Sequence, residues 1–127
     1  MSRKRTNRSA RQAGARFERA VADHLRDTVS EFIDRRVKTG AKDRGDLANV
    51  RMHGERVVVE CKDTTRMSLA QWIAEAHTQA GNDDAAVGVI VHKRHGVGDP
   101  GRQWVTMTVD DLVFFLTGEL QETRYEP

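Results

Sequence analysis

Apolar residues recur at helical spacing in three segments of the chain, and each segment predicts an α-helix. The three segments are 14–27, 68–80 and 108–118. In the first of them, Phe17, Val21 and Leu25 fall four residues apart and would share one helix face. A helix with one apolar face is expected to pack that face against a sheet or another helix.

The ends of the second and third helices carry residues that favour helix termini. Ser68 is followed three residues later by Gln71, which is the pattern of a capping box, and Gly81 is expected to end that helix. Thr108 suits the N-cap of the last helix, and Gly118 is expected to stop it.

Five stretches rich in β-forming residues lie between these helices. They are 32–38, 46–52, 56–62, 85–92 and 103–107. The run of small apolar residues in 85–92 is typical of a strand that is buried on both faces. The resulting order, α-β-β-β-α-β-β-α, predicts a single-domain α/β protein with a mixed β-sheet flanked by helices.

The main chemical signal lies at one end of a predicted strand pair, where 46–52 begins and 56–62 ends. Glu60 and Lys62 are two residues apart in a strand, so their side chains point to the same face. The hairpin formed with the preceding strand brings Asp46 back beside Glu60. Two carboxylates with a lysine suit Mg²⁺ or Mn²⁺ and phosphodiester hydrolysis. Asp46 and Glu60 are the predicted metal ligands, with the backbone carbonyl of Cys61 as a third, and Lys62 is predicted to stabilise charge at phosphorus.

The hairpin register decides whether these side chains can meet. A two-residue turn at His53-Gly54 would set Asp46 opposite Cys61, on the wrong face of the strand pair. A site shared by Asp46 and Glu60 therefore predicts a three-residue loop or a bulge.

The pattern Gly45-Asp46 followed by Glu60-Cys61-Lys62 resembles the PD-(D/E)XK nuclease superfamily, with Gly45 in the place of the proline. Gly14-x-x-x-Glu18, the basic strand at 35–37 and the loop at 40–45 are similar to the archaeal-type Holliday junction resolvases. The resemblance implies a restriction-endonuclease-like fold and a Mg²⁺-dependent endonuclease that cuts four-way DNA junctions as a homodimer. It also implies a catalytic role for Glu18, beside Asp46, Glu60 and Lys62.

Charge is distributed unevenly, although the net charge is only +2. Residues 1–16 contain six lysines and arginines and no acid. We therefore expect 1–13 to be a flexible basic arm that binds nucleic acid, 14–118 to be the nuclease domain and 119–127 to be a frayed tail. The predicted nucleic-acid contacts are Arg3, Lys4, Arg5, Arg8, Arg11, Arg36, Lys38, Lys42, Arg44, Gln79, Lys93 and Arg94.

Cysteine content and hydropathy bear on the compartment. The single cysteine, Cys61, cannot form an intrachain disulfide, which fits a reducing cytoplasm. No apolar run approaches membrane-spanning length, so no membrane association is expected.

Several alternatives stay open at this point. Asp46 could be a turn residue, Glu60 and Lys62 an exposed ion pair, Glu18 a helix-surface acid, and the Cys61 side chain a small core group. At the level of function, the alternatives are a restriction, nicking or repair nuclease of the same superfamily, a non-catalytic DNA-binding module and a protein-interaction domain.

Overall fold

The computed structural model describes residues 5–37 and 43–127, and these contain three α-helices and six β-strands. The helices are α1 (Asn7–Thr28), α2 (Leu69–Asn82) and α3 (Val109–Thr117). The strands are β1 (Asp34–Arg35), β2 (Leu47–Ala48), β3 (Arg51–Met52), β4 (Glu55–Lys62), β5 (Val87–His92) and β6 (Trp104–Thr106). The α/β class is confirmed, and the order of elements matches the prediction except that the second strand is divided into β2 and β3.

The main sheet has four strands in the order β3-β4-β5-β6. β4 and β5 are parallel, in a register from Val57 opposite Val87 to Lys62 opposite His92, whereas the outer strands are antiparallel to their neighbours. β1 and β2 form a separate antiparallel pair. The Asp46 amide donates to the Val59 carbonyl at 3.1 Å, which ties the start of β2 to β4.

Alternate side chains of β4 and β5 enter two different apolar clusters. Val57, Val59 and Cys61 pack in a core with residues of α1 and α3, which confirms the Cys61 side chain as a core group. The opposite face is covered by α2, where Trp72 and Ala76 pack on Ile90. The sheet is therefore the middle of three layers, and Glu60 points toward α2 while Cys61 points toward α1.

Gly88 allows α2 to lie close to β5. A Cβ atom at this position would lie 2.5 Å from the backbone oxygen of Ala76, on α2. Any larger residue would push the helix away from the strand, so the glycine in the buried run serves the packing of α2 on the sheet.

Of the two features predicted for the hairpin between β3 and β4, the structure has the bulge and not the three-residue loop. The turn has two residues, His53 and Gly54, both with positive φ (53° and 78°), and Met52 lies opposite Glu55. The irregularity occurs earlier, at Asn49, whose φ of 66° separates β2 from β3. Backbone hydrogen bonds join Asp46 to Val59 and Val50 to Val57, so the segment 46–50 lies opposite the shorter segment 57–59. Extra residues on one strand of a pair define a bulge.

The predicted flexible arm is wrong for its described part. Thr6 caps α1, which begins at Asn7, and Ala13 is buried, so the helix starts seven residues earlier than its apolar pattern indicated. Arg5 is held by Asp63, at 2.9 Å to the carbonyl and 3.1 Å to the carboxylate. The first two turns of this helix are mostly polar, so the spacing of apolar residues does not predict them.

The predicted frayed tail is also wrong, because the tail packs on the start of β5. The Tyr125 hydroxyl donates to the Ala85 carbonyl, and the Arg124 guanidinium donates to the Ala86 carbonyl at 2.6 Å. The basic and aromatic residues of the last segment thus satisfy carbonyl groups next to the sheet.

The predicted termini of α3 are confirmed, and Ser68 is the N-cap residue of α2 as predicted, but the capping box of α2 is not formed and its predicted end at Gly81 is wrong. Thr108 accepts from the Asp111 amide, and Gly118 ends α3 with φ 77°. Ser68 makes no side-chain capping bond within the described chain, and Gln71 donates to a glutamate on the next turn instead. α2 also continues through Gly81 to Asn82. Over the described ranges, no helix combines the length and apolar content that crossing a bilayer would need.

Candidate active site

Asp46 is buried at the start of β2 and lies against the backbone of β4. It is 4% exposed, and its Oδ2 accepts from the Cys61 amide at 2.8 Å. The preceding residue, Gly45, has φ 95°, and an added Cβ there would lie 2.9 Å from a Val58 methyl group. Proline, whose φ is fixed near −65°, could not adopt this conformation. The backbone conformation and the close contact with Val58 therefore explain why glycine occupies position 45.

Glu60 is buried on the α2 side of β4, with an exposed fraction of 5%. Its Oε1 accepts from the Gln79 amide at 3.2 Å, whereas its buried Oε2 has no hydrogen-bond partner among the described residues. Burial, and then the charges of Asp46 and Asp43, raise the pKa of Glu60 to about 8. The structure thus brings two of the predicted metal ligands, Asp46 and Glu60, within electrostatic reach of each other.

Gln79 is buried between two carboxylates. A nucleic-acid contact, as predicted, would have required it to face outward. Its amide nitrogen donates to Asp43 Oδ2 at 3.1 Å as well as to Glu60. This arrangement turns its buried Oε1 away from both carboxylates, and that oxygen has no partner within the described chain. Gln79 therefore positions the acidic side chains.

Asp43 is a member of the site that the sequence analysis missed. It is fixed from three sides: its Oδ1 accepts from the Gly45 amide at 3.0 Å, its Oδ2 from Gln79, and its carbonyl from Asn82 at 3.0 Å. An Asp two residues before a Gly favours the bond from the Gly45 amide to the Asp43 side chain. This spacing was the sequence feature that could have pointed to Asp43.

Lys62 shares the strand face of Glu60, as predicted, but its ion pair is with Glu75 on α2. The Lys62 Nζ to Glu75 Oε2 distance is 3.4 Å. Lys62 still lowers the pKa of Glu60, although by less than burial raises it. Glu75, which also accepts from Gln71 at 3.0 Å, is a second residue that the sequence analysis missed.

Glu18 projects from α1 toward the other side of β4. Arg35 contacts its Oε2 at 3.2 Å through two nitrogen atoms. Burial, followed by the charges of Asp46, Glu18 and Glu60, raises the pKa of the Cys61 thiol well above its ordinary value. The three predicted catalytic carboxylates therefore surround the end of β4, although Glu18 approaches from the α1 layer.

The carboxylates do not form a tight multidentate cluster. In ranges 5–37 and 43–127, no group of three or more His, Cys, Asp or Glu residues is arranged to hold a metal ion. The chemistry of the remaining donors nevertheless fits a hard cation. Glu60 Oε2 is a buried acceptor oxygen that receives no hydrogen bond from a described residue, and a cation beside Asp46 and Glu60 would satisfy this deficit.

The predicted nucleic-acid contacts fall into several groups. Lys93 lies beside the end of β4, because its amide donates to the Lys62 carbonyl at 2.9 Å. The Cζ atom of Arg94 lies 4.2 Å from the centre of the Trp104 ring. A terminal nitrogen of Arg36 lies 3.0 Å from Oδ2 of buried Asp83, so both arginines have partners within the protein. The exposed members are Arg8, Arg11 and Arg44. The members that lie outside the described residues are Arg3, Lys4, Lys38 and Lys42.

Three comparisons with known proteins place no constraint on this site. No protein-family model matches the chain, and neither a curated protein nor a solved structure does.

Proposed function

We propose that this protein is a metal-dependent DNA endonuclease, with Asp46 and Glu60 as metal ligands and Mg²⁺ or Mn²⁺ as the cofactor. The observation that carries the proposal is the buried acidic pair at the end of β4, in which Glu60 Oε2 receives no hydrogen bond from the described residues. A buried carboxylate next to another carboxylate is unfavourable unless a proton or a cation compensates the charge.

The residues of such a site come from three parts of the chain, which are β4, α2 and the segment before β2. β4 supplies Glu60 and, through its backbone, anchors Asp46, while Gln79 on α2 fixes Glu60 and Asp43. When bound, the cation supplies Lewis acidity toward the phosphate and activates water for hydrolysis. Lys62, on the same strand face, supplies positive charge where negative charge develops at phosphorus.

Basic residues around the end of β4 support a nucleic-acid substrate. Arg5 lies against Asp63, the residue after β4, and Lys93 is bonded to Lys62 through the backbone. Arg8 and Arg11 are exposed on the first turns of α1, the helix that Arg5 precedes. Together they favour contact with a polyanion next to the acidic pair.

The resemblance to archaeal-type Holliday junction resolvases suggests the finer substrate class. We propose that the enzyme prefers four-way junctions or other branched DNA and acts as a homodimer, because a junction requires two symmetry-related cuts. The small single domain, without a separate recognition module, fits an enzyme that reads DNA shape.

A direct test combines substrate shape with metal dependence. Purified protein is incubated with a labelled four-way junction or a matched duplex, in Mg²⁺ or in EDTA. We expect paired cuts in the junction with Mg²⁺ only. Equal cutting of both DNAs would leave a nuclease of another type, and no cutting with any divalent metal would overturn the enzyme proposal.

A non-catalytic DNA-binding module is the second candidate. The Lys62–Glu75 ion pair favours it, because that lysine then has a structural role on the surface of α2. Metal-independent binding to DNA, without cleavage under any condition, would select this candidate.

A further inference from the structure

A polar cleft of about 250 Å³ lies between the start of β4 and the chain around β2 and β3. Four arginines line it, together with one aspartate and one asparagine among its polar residues: Arg36, Arg44, Arg51, Arg56, Asp83 and Asn49. The positive charges of the described lining outnumber the negative charge four to one. Such a concave surface favours an anion.

Two of the arginines are held in place by the end of α2. Arg36 pairs with Asp83 Oδ2 at 3.0 Å, and Arg56 donates to the Asp83 carbonyl at 2.8 Å. The Nε of Arg36 is nevertheless buried and donates to no described residue. A guanidinium fixed at one end, with an unused N–H group, is prepared to bind another acceptor.

The other two arginines complete the cleft from the exposed side. Arg44 precedes the Gly45-Asp46 turn, and Arg51 opens the edge strand β3. Both are exposed, so an incoming ligand can reach them without displacing a core contact. Planar guanidinium groups bind phosphate oxygens in pairs, which distinguishes them from lysine ammonium groups as phosphate ligands.

We infer that this cleft, the arginine cleft, binds a phosphate group of the DNA backbone at a distance from the cutting site. The inference rests on the proposed function, since it takes DNA as the ligand. Arg56 and Glu60 point to the same face of β4, and four residues of strand separate them by about 13 Å. This spacing corresponds to about four nucleotides along a duplex, so one DNA molecule can span both sites.

The first part of the test uses inorganic phosphate as the probe. Side-chain Nε–Hε signals of the arginines are followed by NMR during titration with phosphate, and a chloride titration of equal ionic strength is the control. We expect saturable shifts at Arg36, Arg44, Arg51 and Arg56. Equal, non-saturating shifts at all arginines, including Arg102 on the far edge of the sheet, would overturn the inference.

The second part measures DNA affinity against salt, in EDTA so that no cleavage occurs. An Arg44→Ala/Arg51→Ala variant is compared with Arg16→Ala/Arg102→Ala, which removes the same charge from exposed positions outside the cleft. The cleft variant should reduce the magnitude of the slope of log K against log salt by about 0.9, because the single phosphate contact proposed for the cleft is lost.

The two parts separate the sources of phosphate and separate this inference from the enzyme proposal. An unchanged slope, or an equal fall in the control variant, would overturn the assignment to the DNA backbone. Saturable phosphate binding with an unchanged slope would assign the cleft to a free phosphate species instead. Neither measurement uses cleavage, so a failed nuclease assay leaves this result intact, and the reverse also holds.

Discussion

The amide of Gln79 donates to Oε1 of Glu60 across 3.2 Å, and this bond joins α2 to β4 where both side chains are buried. The same amide nitrogen holds Asp43 at 3.1 Å. A single neutral side chain thus keeps two carboxylates at fixed positions, although it cannot neutralise their charge. The protonation of Glu60 must therefore respond to pH and to cations.

Stability should fall as pH rises from the ordinary glutamate pKa toward the raised one. The pKa of Glu60 is raised from 4.5 to about 8, so the folded chain keeps a proton that the unfolded chain has already lost between these values. Unfolding in urea at about pH 5 and about pH 9 measures the effect. Glu60→Gln should flatten this dependence, whereas the exposed, same-strand control Glu55→Gln should not. Parallel pH profiles for the wild type and Glu60→Gln would contradict the prediction.

Mg²⁺ should stabilise the wild-type protein above about pH 8, where Glu60 loses its proton. Thermal unfolding with and without Mg²⁺ measures this effect without DNA. We expect a rise in Tm for the wild type and for Glu55→Gln, and a much smaller rise for Asp46→Asn and Glu60→Gln. The same rise in all four proteins would exclude a metal at this pair.

Cleavage should require both members of the acidic pair. Asp46→Asn and Glu60→Gln should each abolish Mg²⁺-dependent junction cleavage and leave DNA binding largely intact, because only metal ligation is lost. Single-turnover cleavage and fluorescence anisotropy measure the two properties, with Glu55→Gln as the matched control. Wild-type rates in either variant would remove the metal-site assignment.

Lys62 should contribute to the rate far more than to affinity. Lys62→Ala removes a charge that matters chiefly in the transition state, which typically costs about 10²–10³ in rate, or roughly 3–4 kcal/mol. Lys62→Arg should rescue only in part, since a planar fork replaces a compact ammonium. Glu75→Gln should change the rate little, because the pair is partly exposed, with Lys62 23% and Glu75 41% accessible. A near-wild-type rate for Lys62→Ala would make this lysine a structural partner of Glu75.

The first turns of α1 should bind DNA through charge. Since Ala13 is buried, substitution tests this better than deletion of residues 1–13, which would disturb the fold. Arg8→Ala/Arg11→Ala should weaken binding to all DNA shapes and lower the salt slope by about 2. Gln12→Ala, on the same exposed helix surface, is the uncharged control. An unchanged slope would show that this surface does not contact phosphate.

Two glycines in neighbouring elements should respond to alanine in opposite directions. Gly88→Ala should destabilise the protein by about 1–3 kcal/mol, because the added methyl would lie 2.5 Å from the Ala76 oxygen. Gly81→Ala, inside α2 with no atom within 4 Å of the added methyl, should stabilise by up to about 1 kcal/mol. Equal effects on the free energy of unfolding in urea would contradict the close packing of α2 on β5.

Local patterns in the chain were sufficient for the order of elements and for several of their ends. The buried strand β5 and the Thr108 and Gly118 termini of α3 follow from residue types acting on their immediate neighbours. The motif spacing also placed Asp46 and Glu60 near each other. α1 began earlier than its apolar pattern because a polar, solvent-facing turn carries no hydrophobic periodicity.

The tertiary structure decided the partners of the site residues. Gln79 and Glu75 reach β4 only because α2 packs over it, and Asp43 joins the site through Gln79. That packing depends on Gly88 of β5, which allows the close approach of α2. The bulge at Asn49, and not the turn, brought Asp46 to its position. Spacing along a chain reports which face a side chain takes, whereas burial, charge coupling and hydrogen-bond partners depend on which layer covers that face.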